Sequence, residues 1–218
     1  MKRITILSGY YGSGKSEISV NLALQKQIDY IVDLDIINPY FRSRALHELF
    51  KEKGIKLVES TIENMPNSDM PYISKKGVYP FIDKSVTAIY DLGGTENGAK
   101  VLIQYQDQIK DFDEIDFVCV INVFRPETSN KKDIIDSITM LEAQTQLKIT
   151  GLINNSNLIN ETTEEDIIYG ENIIKSVSEE LKLPILYTVI EESKKKLIKH
   201  NFLGEELVIS RIVARKWL

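Results

Sequence analysis

Nine consecutive residues near the start of the chain, Ser8-Gly9-Tyr10-Tyr11-Gly12-Ser13-Gly14-Lys15-Ser16, have the types and the spacing to hold a triphosphate. From Gly9 onward they fit G-x-x-x-x-G-K-[ST], a phosphate-binding loop when it follows a strand and opens a helix. Such an anion needs many donors at short range and a cation. Gly9, Gly12 and Gly14 let the loop backbone, Ser13 included, turn its N–H groups onto phosphate oxygens where a Cβ would collide. Lys15 can reach the β and γ phosphates, and the Ser16 hydroxyl can ligate Mg²⁺. The helix behind them points its positive end at the same charge. A glycine-rich turn can match by chance, but here residues 3–8 read as a β-branched strand and residues 17–26 as a helix.

Acids come next along the chain. Tyr30-Ile31-Val32-Asp33-Leu34-Asp35 reads as a short buried strand, and open α/β sheets bind ligands at the carboxyl ends of their strands. Asp33 and Asp35 are two apart and share a face. Beside a triphosphate they suit Mg²⁺ and water handling; otherwise they are a strand end and a turn acid. Residues 85–94 form a second buried strand, ending in Asp91-Leu92-Gly93-Gly94. Asp91 is placed to hold Mg²⁺, directly or through water. Gly94 can bring its backbone to the γ-phosphate and move when that group leaves. Residues 148–157 end in Asn154, Asn155 and Asn157. An amide offers both a donor and an acceptor to an adenine edge, although asparagines also favour turns. Asn130-Lys131-Lys132-Asp133 spells the guanine-reading N-K-x-D, but it lies several residues beyond the strand 117–122 and reads instead as a solvated first helical turn. Arg42 and Arg44 either reach a phosphate or partner carboxylate or are solvated at a helix start.

These residues need a scaffold that gathers strand ends on one edge. Strands alternate with helices, which predicts an α/β fold, a doubly wound, mainly parallel sheet with helices on both faces. A helix runs from the Asn38-Pro39 turn to about Lys53, with Gly54 as its C-cap, and a strand covers 55–58. Residues 59–84 are the least regular stretch and read as a lid, a partner surface or a crossover that covers the sheet. Helices follow from Thr95 to about Gln108, from a cap near Thr128 or Ser129, and from Thr162 or Thr163 to about Lys182. The last strand is 184–190. Residues 207–218 read as a helix whose apolar residues go most of the way round, so it docks on the core rather than lying on a membrane.

The 218 residues suit a single domain, 1–218, with a sizeable core. A net charge of −5 argues against bulk nucleic-acid binding. Cys119 is the only cysteine, so one chain can make neither an internal disulfide nor a thiolate metal cluster. No apolar run approaches the ~20 residues of a membrane span. The chain begins directly in a strand with no signal peptide, so a cytoplasmic location, with no membrane association, is the expectation.

From Gly9 to Asn155 the motifs resemble those of the MinD/ParA/CobQ–CobB P-loop proteins of the SIMIBI class: the loop, then Val32-Asp33-Leu34-Asp35, Ile89-Tyr90-Asp91-Leu92-Gly93-Gly94 and Gly151-Leu152-Ile153-Asn154-Asn155. The resemblance implies that Asp35 orients or activates the attacking water, that Asp91 is the Walker B acid, and that Asn155 contacts adenine. Many members carry a signature lysine after the first loop glycine, used across a sandwich dimer; here that position is Tyr10. The trans-lysine mechanism is therefore not implied, and a homodimer is left open.

The expected function is that of a Mg²⁺-dependent ATP-binding protein, an ATPase whose hydrolysis switches an interaction with an unidentified protein partner. Catalysis falls to Lys15 and Asp35. Gly9, Gly12, Ser13, Gly14, Lys15, Ser16, Gly94 and Asn155 hold ATP, and Ser16, Asp91 and Asp35 hold the metal. Two alternatives stand beside it: an ATP-dependent small-molecule ligase or kinase of the dethiobiotin-synthetase type, and a nucleotide-sensing module that does not hydrolyse.

Overall fold

The computed structural model describes residues 1–35, 44–59, 75–109 and 112–213. Its first strand, β1 (Ile4–Ser8), is buried along its whole length. A strand covered on both faces is the mark of a central position in a parallel sheet. The described residues form one sheet of eight strands, all paired in parallel. The others are β2 (Tyr30–Leu34), β3 (Lys56–Val58), β4 (Ala88–Leu92), β5 (Ile115–Ile121), β6 (Gly151–Asn154), β7 (Ile185–Glu191) and β8 (Glu205–Ile209). Their spatial order is β3-β2-β4-β1-β5-β6-β7-β8. From β1 the chain skips a place to β2, moves out to β3, returns to fill the gap as β4, and then crosses over β1 to β5. The reversal of direction opens a crevice at the carboxyl end of β1, where ligands bind in such sheets.

Alternate residues on each strand feed two separate cores. Leu7, Ile31, Ile89, Val120 and Ile153 pack with Ile18, Val20 and Leu22 of α1 (Lys15–Gln25) and with Leu46 and Phe50 of α2 (Arg44–Glu52). Ile6, Val32, Tyr90, Phe117 and Leu152 face the other way. Their partners are Ala99 of α4 (Glu96–Lys100), Ile134 and Leu141 of α5 (Lys131–Thr145), and Ile174 and Val177 of α6 (Glu164–Leu181). Helices cover both faces, so the sheet is doubly wound as expected. Residues 75–84, including the short α3 (Tyr79–Ile82), also lie on this second face. Phe81 stacks on Tyr90 at 4.9 Å between ring centres, and the Tyr90 hydroxyl donates to the Gly77 carbonyl at 2.7 Å. The described part of the irregular stretch is thus a cover for the sheet; the rest of it, residues 60–74, lies outside the described residues.

Helix ends follow their capping chemistry. Thr163 caps α6 in a reciprocal box with Asp166, and the helix ends at Lys182 in the left-handed conformation. The cap of α5 is Asn130, not Thr128 or Ser129: its side-chain oxygen accepts from the Asp133 N–H at 3.1 Å. Thr128 has turned inward instead, donating to the Asn122 carbonyl at 2.7 Å. The N-K-x-D tetrapeptide is accordingly a first helical turn. The tail is the larger correction. Glu205–Ile209 is a strand, pairing with β7, with Leu207 and Ile209 buried and Glu206 and Val208 more exposed. An apolar run that circles a helical wheel is also what a strand packed at a sheet margin looks like. Residues 214–218 lie outside the described residues. Among the described residues, no helix is long and apolar enough to cross a membrane.

Candidate functional site

The crevice at the end of β1 is lined by the glycine-rich loop. Gly12 and Gly14 have φ of 75° and 86°, which side chains rarely adopt, and the Ser13 N–H donates to the Tyr10 carbonyl at 3.0 Å to close the turn. Close approach matters as much as torsion. A Cβ on Gly9 would stand 2.2 Å from the Val120 carbonyl oxygen, and one on Gly94 would stand 1.7 Å from that of Gly9. The loop after β1 and the loop after β4 therefore touch, backbone to backbone. α1 starts at Lys15, directly behind the turn, with Lys15 and Ser16 buried.

Parallel pairing brings the acids together. Asp33 on β2 and Asp91 on β4 are register partners, and Leu7 of β1 is the partner of Asp91 on the other side. Both carboxylates lie on the face covered by α1. Asp91 is wholly buried, and among the described residues neither of its oxygens has a partner in good hydrogen-bond geometry, although the Ser16 and Ser19 hydroxyls lie close. Burial pushes its pKa up to about 6. Lys15 and the nearby hydroxyls of Ser16 and Ser19 work against that rise, and the Asp35 charge adds to it. Asp33 is pushed further, to about 8, by burial and by the Asp91 charge, against a hydrogen bond that its Oδ1 accepts from the Asp35 N–H at 3.0 Å. Lys15 Nζ lies 2.7 Å from Asp35 Oδ2, with both side chains buried.

Two amide side chains organise the other wall. Asn155, just past β6, donates from Nδ2 to the Ser13 carbonyl at 2.7 Å, and a Cβ on Gly14 would meet that nitrogen at 2.3 Å. Asn122, just past β5, accepts from the N–H groups of Phe124 and Asn157 and donates to the Asn157 carbonyl at 3.2 Å, so it locks the β5 and β6 loops together. Arg125, on the β5 loop, reaches across and donates from Nε to the Gly12 carbonyl at 3.0 Å. A cavity of about 550 Å³ opens beyond this point, bordered by Gly12, Gly14, Arg125, Asn155, Asn157 and Arg211 among others. Sequence reasoning passed over Asn122 and Arg125. The available signal was position alone: they follow the strand that neighbours β1 at the crevice.

The structure thus gathers Gly9, Gly12, Ser13, Gly14, Lys15, Ser16, Asp35, Asp91, Gly94 and Asn155 at one sheet edge. Arg44 is elsewhere, exposed on α2 and paired with Glu48 at 2.8 Å, and Arg42 lies outside the described residues. The donor set fits a Mg²⁺–triphosphate. It offers a cradle that a Cβ would fill, a buried lysine, a hydroxyl at Ser16 and a buried carboxylate at Asp91. No group of three or more His, Cys, Asp or Glu side chains among the described residues could hold a metal. A metal here would take phosphate oxygens and water as its remaining ligands, as Mg²⁺ commonly does.

No protein-family model matches the sequence, and no curated protein matches it either. Solved structures do. Signal recognition particle receptor FtsY from Elizabethkingia anophelis, in complex with GDP, aligns with a TM-score of 0.53 at 15% identity, over 87% of this chain and 57% of that one. Chloroplast FtsY from Physcomitrella patens aligns at 0.51 and 13%, over 86% and 58%. The signal recognition particle 54 kDa protein from Aeropyrum pernix, in complex with GDP, aligns at 0.50 and 18%, over 84% and 40%. The chain has the P-loop NTPase fold. These neighbours are SIMIBI-class P-loop NTPases, and the chain spans less than two thirds of the length of each. The glycine-rich segment is hereafter the P-loop.

Proposed function

We propose that this protein binds ATP with Mg²⁺ and hydrolyses it slowly, as a switch read by a protein partner. The observation that carries the reading is Asp91: a buried carboxylate beside the P-loop serine, with no well-formed hydrogen bond among the described residues, is suited to a cation. Ser16 and Asp91 would hold Mg²⁺, with Asp35 close by. The metal would neutralise phosphate charge as it develops. Lys15 and the P-loop amides share that task by direct hydrogen bonds. Lys15 now rests on Asp35 at 2.7 Å. A γ-phosphate competes for the same ammonium, which would free the Asp35 carboxylate to orient water. Asp35 directly precedes residues 36–43, so its release is a signal that can leave the site along the backbone.

Adenine is favoured by the strand tip. Guanine presents two adjacent donors on one edge, which a carboxylate satisfies, and Asn154-Asn155-Ser156-Asn157 offers amides and a hydroxyl instead. Two fold neighbours hold GDP, which is reason to run GTP beside ATP. The test is ADP or GDP release from the purified protein with Mg²⁺. ATP turnover lost in both Lys15→Ala and Asp35→Ala is the expected result, and wild-type-like turnover in Lys15→Ala overturns the assignment. Binding without turnover would instead select the sensing module. Turnover only with an added metabolite would select the ligase or kinase.

A further inference from the structure

Charge at the P-loop is unevenly accounted for. Lys15 carries its counter-ion, Asp35, at 2.7 Å. Arg125 is half-buried at the same loop, and its single described side-chain hydrogen bond runs from Nε to the Gly12 carbonyl; among the described residues it has no carboxylate partner. Its guanidinium lies against Gly12, with Nε, Cζ and Nη2 at 3.0, 3.1 and 3.4 Å from where a Cβ would be. A planar cation is thus held at the rim of the 550 Å³ cavity, with no partner for its Nη groups among the described residues.

The side of the loop on which Arg125 sits follows from peptide geometry. In a trans peptide the C=O points opposite the N–H of the next residue. The partner of the Gly12 carbonyl is the Ser13 N–H, which points into the turn toward the Tyr10 carbonyl. A group that binds the Gly12 carbonyl therefore lies on the side of that peptide away from the Tyr10 carbonyl. Asn155 grips the next carbonyl, that of Ser13, and borders the same cavity. Two consecutive P-loop carbonyls, those of Gly12 and Ser13, are thus held by two side chains that border the same cavity.

We infer that Arg125 is a base-binding residue: its guanidinium forms the flat wall on which the nucleobase stacks, while Asn155 meets the base at its edge. The inference rests on the nucleotide-binding reading above. A guanidinium suits the role because it is planar, always charged and weakly hydrated, and it stacks on aromatic faces where an ammonium does not. The β5 loop keeps it in place through Asn122, whose carbonyl accepts from the Arg125 N–H at 3.1 Å, and through the Thr128 hydroxyl on that same carbonyl.

The experiment is titration calorimetry of the wild-type protein, Arg125→Ala and Arg125→Lys, each with Mg-ADP and with inorganic tripolyphosphate. Stacking predicts that Arg125→Ala binds ADP about tenfold more weakly, while tripolyphosphate stays within about twofold of wild type. Arg125→Lys keeps the charge and a donor for the Gly12 carbonyl, and still binds ADP several-fold more weakly. Equal losses for both ligands in Arg125→Ala would make the residue a phosphate clamp and overturn the inference. So would ADP affinity at the wild-type level in either variant. Should Arg125→Ala fail to fold, Arg125→Lys decides alone. Wild-type protein that binds neither ligand would overturn the nucleotide reading itself, and the inference with it.

Discussion

Asp33 and Asp91 stand side by side on adjacent strands, and the cost of that arrangement is measurable in the free protein. Burial and the neighbouring Asp91 charge push the Asp33 carboxyl up to about 8, from an ordinary 3.8. A carboxylate raised in this way holds its proton in the folded chain over a range where the unfolded chain has released it. Its contribution to stability is complete below the unfolded value and is lost as pH rises through about 8. The nucleotide-free protein is therefore expected to become less stable between about pH 4 and 8, by at most about 1.4 kcal/mol per pH unit for one proton. Asp33→Asn should flatten that slope in urea unfolding followed across the same range. It keeps a side-chain oxygen for the Asp35 N–H. An unchanged slope would mean that Asp33 is ionised throughout.

The elements around the site were legible to different degrees, and the reason is physical. Strands buried on both faces appear as apolar runs, so β1, β2, β4, β5 and β6 could be read from composition alone, and a P-loop advertises itself by local spelling. Asn122 and Arg125 could not, because their meaning depends on three loops meeting at one sheet edge. The tail failed for a related reason. Leu207 and Ile209 are buried by β7 and the α1 face, contacts distant in sequence, and their local pattern fits a helix as well. Gly94 lies between these cases: its spacing after Asp91 marks it in the sequence, but its need for a bare Cα shows only when two loops are placed together. A methyl group there would overlap the Gly9 carbonyl. Gly94→Ala is expected to cost about 1–3 kcal/mol, the range for overpacking, and to abolish nucleotide binding because the P-loop must shift. Calorimetric titration with Mg-ADP and a denaturation curve would check both, and wild-type binding would show that the loops yield more easily.

Across the whole molecule, the helix that carries the P-loop lysine is fastened to the far end of the described chain. Gln25, Asn21 and Glu17 lie four apart on one face of α1. Gln25 donates to the Val208 carbonyl at 2.6 Å, Asn21 exchanges two hydrogen bonds with the Ser210 backbone, and Glu17 accepts from the N–H groups of Ile212 and Val213. Asn21→Ala leaves both backbone groups of Ser210 without that partner. A loss of about 1–3 kcal/mol is expected in urea unfolding; a change within experimental error would show that water replaces the amide. The clasp also sets an order of events during synthesis. A ribosome makes α1 well before residues 208–213. At ordinary elongation rates the polar stripe on α1 waits roughly ten to forty seconds for its partner. Until then the nascent chain carries a P-loop whose supporting helix is unfinished on one side, so a nucleotide site of full strength forms only after residues 208–213 have been made and have reached α1.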